Sequence, residues 1–237
     1  MLIVISVIVS SRYVWWRYSE TLNPNSYTSV IFTWLLIIAE TYAFIVMLLG
    51  YFQVCWVLDR KPASLPKDKE RWPSVDIFIP TYNEPLDVVK PTVYAALTVD
   101  WPKEKLNVYI LDDGSRKEFK DFACEVGAGY IEREEHKHAK AGNINHAMGI
   151  TKGDFIAIFD CDHVPVKTFL QKTMGWFLKD EKIALVQTPH HFYSQDPFEK
   201  NLHLKENVPN ENSLFHDFIQ KGNDTWNATM FCGSCAI

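Results

Sequence analysis

The sequence predicts an α/β protein: a mostly parallel sheet covered by helices, preceded by membrane-spanning helices. Three observations carry that reading. After Pro73, short runs rich in β-branched and aromatic residues alternate with segments of helical length. Those runs are almost continuously apolar, as strands buried on both faces are. Before them, Tyr27–Leu58 carries one acidic or basic residue, Glu40, over more than the roughly 20 apolar residues that a spanning helix needs.

The chain begins with a second apolar segment, Met1–Trp16, interrupted by Arg12. The bulky, basic SRYVWWRY at its end suits an interfacial belt better than a small-residue cleavage site, so the segment reads as a second, short spanning helix. Glu40 is costly at membrane depth and should face protein or a cavity. Residues 59–73, with prolines at 62, 66 and 73 and an excess of Lys and Arg, read as a basic cytoplasmic linker. Residues 74–237 then form the soluble domain.

In that domain the strands are expected at 75–79, 106–111, 129–132, 154–159 and 183–188. Helices fill 85–99, 116–126, 139–151 and 166–179. In such sheets ligands bind beyond the carboxyl ends of the strands. There the first strand delivers Thr81-Tyr82-Asn83-Glu84, the second Asp112-Asp113-Gly114 and the fourth Asp160-Cys161-Asp162. Carboxylates crowded on one edge repel unless a positive charge sits among them. A divalent cation such as Mg²⁺ or Mn²⁺ meets that need, because it takes one or two carboxylates and fills its shell with substrate phosphates. Asp160 and Asp162 are the candidate ligands, although Asp also caps helices and starts turns. Lys140, at the expected start of a helix, suits an anionic phosphate.

Composition bounds the rest. Hydrophobic residues make up 47% and aromatics 14%, enough for a large core. The net charge of −5 argues against a nucleic-acid partner. Five cysteines form no even-numbered framework and read as free thiols in a reducing compartment. Cys232 and Cys235 make a CxxC without a second pair, so neither a zinc half-site nor a redox pair is expected. His136 and His138 read as polar loop residues rather than ligands.

DIFIPTYNEP, ILDDGS, HAKAGNIN, FDCDHVP, VQTPHHF and FCGSCA, in this order, resemble the core of the processive family 2 glycosyltransferases, most nearly those of bacterial cellulose synthase type. The resemblance runs over nearly the whole chain and extends to the membrane-proximal SRYVWWRYSETLN and AETYAFIVMLLGYFQ. It implies a GT-A fold, a Rossmann-like architecture. It also implies a UDP-glucose donor, Mg²⁺ or Mn²⁺, and inverting transfer to the 4-hydroxyl of a growing β-1,4-glucan acceptor. By that resemblance Thr81, Tyr82 and Glu84 hold the uridine and Asp112 faces the nucleotide. Lys140 meets the diphosphate, Asp160 and Asp162 form the metal pair, and Phe231, Cys232 and Gly233 lie near the acceptor. Gln187, His190 and His191 match a family segment without a physical role of their own. The lipid bilayer and other subunits of a synthase complex are implied partners, with the transferase domain on the cytoplasmic side of a bacterial inner membrane.

The family's TED and QxxRW segments, which supply the catalytic base and grip the acceptor, do not occur here, nor does a cyclic-di-GMP-binding module. The expectation is therefore a fragment that lacks its base, binds UDP and metal weakly and makes no polymer. Two alternatives compete: a synthase of hyaluronan, chitin or poly-N-acetylglucosamine type, and a non-catalytic, membrane-anchored nucleotide-binding remnant.

Overall fold

A computed structural model describes residues 1–22, 26–191, 193, 197–202 and 213–237. The last residue of the VQTPHHF segment, at position 192, lies outside them. Contacts group the chain into two units, residues 1–59 with 192–229, and residues 60–191 with 230–237.

In the first unit, helices α1 (Leu2–Glu20) and α2 (Tyr27–Val54) pack on each other. Among the described residues α2 alone is long and apolar enough to cross a membrane, with a mean hydropathy of 2.1 over its most apolar window. The expectation of two spanning helices therefore meets one such helix; α1, with Arg12 and Arg17 along its length, falls short. Glu40 does turn inward: its carboxylate accepts from Arg17 Nε at 2.6 Å and from the Tyr13 hydroxyl at 2.9 Å. Leu35, Leu36 and Ile38 stay exposed, as lipid-facing side chains would. A short helix, Lys221–Thr225, returns to the end of α2, where Phe52, Trp56 and Trp226 form an aromatic cluster.

The second unit is the predicted strand–helix series. Strands β1 (Val75–Thr81), β2 (Leu106–Asp112), β3 (Gly129–Glu132) and β4 (Phe155–Ile158) form one parallel sheet in the order β3-β2-β1-β4. Helices α3 (Leu86–Leu97), α4 (Lys117–Val126), α5 (Ala139–Met148) and α6 (Phe169–Lys179) cover it. The alternation of β1 explains the two-sided cover. Val75, Ile77 and Ile79 point into a core shared with α3, α4 and α6. Phe78 points the other way, with Leu111, Ile131 and Ala147 under α5.

The expected fifth strand is corrected. Residues 183–188 do not join the parallel sheet; they pair antiparallel with the chain's end. Val186 and Ile237 exchange both backbone hydrogen bonds, and Thr188 N donates to Cys235 O. Ala236 bridges both Ile158 and Gln187. An edge strand needs one partner only, and residue 236 supplies it between β4 and the 183–188 run. The basic segment 60–73 is held to this unit: Trp72 stacks on Trp101 with centroids 4.5 Å apart, and Lys105 Nζ donates to the carbonyls of Glu70 and Trp72. Gly175 lets it pass, because a Cβ there would lie 2.1 Å from the Ala63 carbonyl oxygen.

Candidate active site

Parallel strands deliver their following loops to one edge, and a cleft of about 530 Å³ opens there. Thr81, Tyr82 and Glu84 from the end of β1, Asp113 after β2, Lys140 and Asn143 from α5, and Asp160 and Asp162 after β4 all line it.

The β1 loop is held by its own carboxylate. Glu84 accepts from Thr81 Oγ1 at 2.9 Å and from the Tyr82 backbone N–H at 2.8 Å. Burial pushes the Glu84 carboxyl up, but the backbone N–H groups of Tyr82, Glu84 and Asn83 and the Thr81 hydroxyl outweigh it and hold the group below the ordinary carboxylate range. Tyr82 is left with its ring half exposed at the mouth.

Asp112 does not line the cleft. It is fully buried, and its two oxygens accept from the backbone N–H groups of Gly114 and Arg116, from the Arg116 guanidinium at 2.8 Å and from the Tyr130 hydroxyl at 3.1 Å. Arg116 sits four residues on and carries the bond further to Thr81 Oγ1 and the Glu84 carbonyl. Asp112 thus fixes the first loop and the second against each other. Its neighbour Asp113 takes the cleft position, in a two-pronged pair with Arg133. Arg133 also donates to the carbonyls of Lys137 and Ala139, which shapes the entry to α5. Gly142 is required beneath it, since a Cβ would meet the Lys137 carbonyl oxygen at 2.1 Å and Arg133 Nη1 at 2.6 Å. The signal missed in the sequence was Arg133, twenty residues from its partner across β3.

That entry aims Lys140. His138 and Ala139 adopt left-handed φ of 63° and 43°, and the Lys140 ammonium then reaches both Asp160 Oδ1 and the Gly233 carbonyl. Asp160 and Asp162 are differently placed from the β2 pair. The Asp160 carboxylate is one-third exposed and that of Asp162 two-thirds. One ligand atom each from Asp160, Asp162 and His163 lie within 4.8 Å of one another. Carboxylate oxygens at a half-open site are the donor set a hard divalent cation selects, so the residues fit the implied metal. Asn143 points to a ligand too. Its Nδ2 donates to the Leu111 carbonyl, while its Oδ1 is the one buried side-chain acceptor without a partner among the described residues.

The segment 230–235 closes this edge. Gln187 holds it by accepting from Cys232 N at 2.9 Å and donating to the Ser234 carbonyl at 2.9 Å, a structural role for a residue that sequence reasoning left without one. Phe231 is half exposed and Gly233 turns with φ of 83°. Cys161, between the two aspartates, is buried at the cleft wall, where its carbonyl accepts from Thr92 Oγ1; burial pushes its thiol up to about 12. Burial likewise pushes the Cys235 thiol up to about 11.

The family model of glycosyl transferase family 2 matches residues 76–237. The chain is 56% identical over its whole length to a cellulose synthase catalytic subunit (UDP-forming) of Xanthomonas axonopodis pv. citri (strain 306), covering 32% of that protein. It is 54% identical over 99% of its length to cellulose synthase 2 of Novacetimonas hansenii, covering 15% of it. The chain therefore spans a third or less of these relatives. A solved mannosyltransferase from Pyrobaculum calidifontis, in complex with GDP-Man and Mn²⁺, superposes with a TM-score of 0.51 at 24% identity, over 65% of this chain and 46% of that one, and shares the fold. With the α/β sheet, the cleft at its carboxyl edge and a family match over residues 76–237, the chain belongs to glycosyl transferase family 2, as a homologue of bacterial cellulose synthase catalytic subunits.

Proposed function

We propose that this chain holds a UDP-glucose donor for inverting elongation of a β-1,4-glucan. The reading is supported most directly by one arrangement: Asp160, Asp162 and Lys140 converge in a cleft whose wall also carries the unpaired Asn143 Oδ1. Asp160 and Asp162 would hold Mg²⁺ or Mn²⁺, which supplies neutralisation of charge on the UDP leaving group. The chain's own groups do the rest. Lys140, at the first turn of α5, would hold its ammonium against the diphosphate beside Asp160. Thr81 and Glu84 keep the β1 loop rigid, and the Tyr82 ring at the mouth offers a face for the uracil. Phe231, Cys232 and Gly233 face the acceptor end. Asp112 stabilises the two loops from behind rather than touching nucleotide.

Because the relatives are much longer, elongation is proposed for the larger architecture that carries these residues, anchored in a bilayer through α2 with this domain on the cytoplasmic side and other synthase subunits beside it. Calorimetric titration of the chain in detergent with UDP-glucose, UDP-N-acetylglucosamine and GDP-mannose, with and without Mg²⁺, tests the donor assignment. Mg²⁺-dependent binding with UDP-glucose preferred supports it. A preference for GDP-mannose, or no nucleotide binding by folded protein, contradicts it.

A further inference from the structure

Beside the carboxylate pair lies a second group of ligating side chains, which shares only His163 with it. One ligand atom each from His163, His190 and Cys235 lie within 4.8 Å of one another. Cys235 Sγ is 3.7 Å from His163 Nδ1, and the two imidazole centroids are 4.8 Å apart. A tetrahedral Zn²⁺ bound at about 2.3 Å to sulfur and about 2.0 Å to nitrogen sets its sulfur and nitrogen ligands close to that separation. The three residues come from three different segments: the loop after β4, the run after residue 188, and the chain's last turn. All are half-buried, so the group is neither a solvated surface cluster nor packed core.

We propose that His163, His190 and Cys235 form a binding site for a Zn²⁺-class metal ion, distinct from the hard-cation pair Asp160–Asp162. Two further features support it. The first lies on the far side of the histidine ring. His163 Nδ1 faces Cys235, and its Nε2 faces Asp162 Oδ1 at 3.9 Å. Metal-bound histidines commonly give their other ring N–H to a carboxylate, which fixes the tautomer and orients the ligand. The second lies in the backbone. Cys235 has φ of 53°, in the left-handed region that few residues other than glycine enter, and such outliers gather at functional sites. That turn sets the Cys235 sulfur beside His163 and the Ser234 hydroxyl.

Donor chemistry separates the two sites. A thiolate and two imidazoles select borderline or soft ions, whereas the carboxylates select Mg²⁺ or Mn²⁺. His163 is common to both groups, so a metal at Cys235 would act on the donor edge directly: it would fix the ring that faces Asp160 and Asp162. The Ser234 hydroxyl stands against that ring. It accepts from the Asp160 backbone N–H at 2.7 Å, which leaves its own proton for His163 Nδ1 at 2.7 Å. Metal binding replaces this hydrogen bond and releases the Cys235 proton. The inference does not rest on the donor assignment.

Co²⁺ titration of the full chain in detergent tests it, since thiolate-to-Co²⁺ charge-transfer absorption reports sulfur ligation. One Co²⁺ per chain with that absorption is expected, displaced by Zn²⁺. Cys235→Ser should abolish the band and Cys232→Ser should keep it. Asp162→Asn should keep the band while weakening affinity about tenfold, as loss of an outer partner does. In the unaltered chain, Zn²⁺ should protect Cys235 from alkylation by iodoacetamide, read residue by residue by mass spectrometry; this needs no variant to fold. Absence of the band, its loss in Cys232→Ser, or equal alkylation of Cys235 with and without Zn²⁺ would overturn the proposal.

Discussion

Two acidic pairs stand at the same edge of the same sheet, and they are built in opposite ways. The pair after β2 is neutralised by arginine: Asp112 is held by Arg116 and Asp113 by Arg133, with both side chains buried. The pair after β4 is left open, with Lys140 on Asp160 and, among the described residues, His163 near Asp162. Identical residue types at equivalent topological positions therefore do different work. A buried carboxylate whose oxygens are all occupied by the protein has nothing left for a ligand. An exposed one with spare lone pairs does.

Substitutions should separate the two pairs sharply. Asp112→Ala removes the buried partner of the partly exposed Arg116 and leaves the N–H groups of Gly114 and Arg116 without their acceptor; a loss of about 2–3 kcal/mol is expected, read as a lower denaturation midpoint in tryptophan fluorescence. A midpoint unchanged by Asp112→Ala would erase the distinction between the pairs. Gly142→Ala should come next. Its Cβ meets the Lys137 carbonyl and displaces Arg133 from Asp113, costing about 1–3 kcal/mol. Nucleotide binding should fall with it, because the same entry aims Lys140.

The smallest effect is a pH effect at Glu84. Its folded carboxyl lies below the unfolded value, so its contribution is present above the unfolded value of about 4.3 and is lost as pH falls through the folded one. Glu84→Gln should therefore lower stability at neutral pH by that contribution and flatten the acid limb of the profile below about pH 5, where the two chains converge. An acid limb as steep as that of the unaltered chain would show that the hydrogen bonds from Thr81 and Tyr82 do not set its behaviour.

The comparison also marks what could be read from residues alone. The β1, β2, β3 and β4 runs were legible because apolar, β-branched segments ended at Pro80, DDG and DCD, and a parallel series allows one arrangement of ends. The gathering of carboxylates at one edge followed from that. Which acidic pair is locked did not. Arg116 lies four residues after Asp112, a spacing that hints at a pair, but Arg133 reaches Asp113 only through the β2–β3 pairing. The antiparallel seat of residues 183–188 was equally hidden, since it depends on Ala236 fitting between two edges. The same is true of Glu40 in part: its cost predicts a partner, yet only helix packing selects Arg17.

The central claim is that the open pair is open for a metal ion. Electron paramagnetic resonance of Mn²⁺ titrated into the full chain in detergent with UDP tests it most directly. Uptake of one Mn²⁺ per chain is expected, strengthened by UDP, lost in Asp160→Asn/Asp162→Asn and kept in folded Asp113→Asn. Equal Mn²⁺ uptake by the chain and by the Asp160→Asn/Asp162→Asn variant would contradict it.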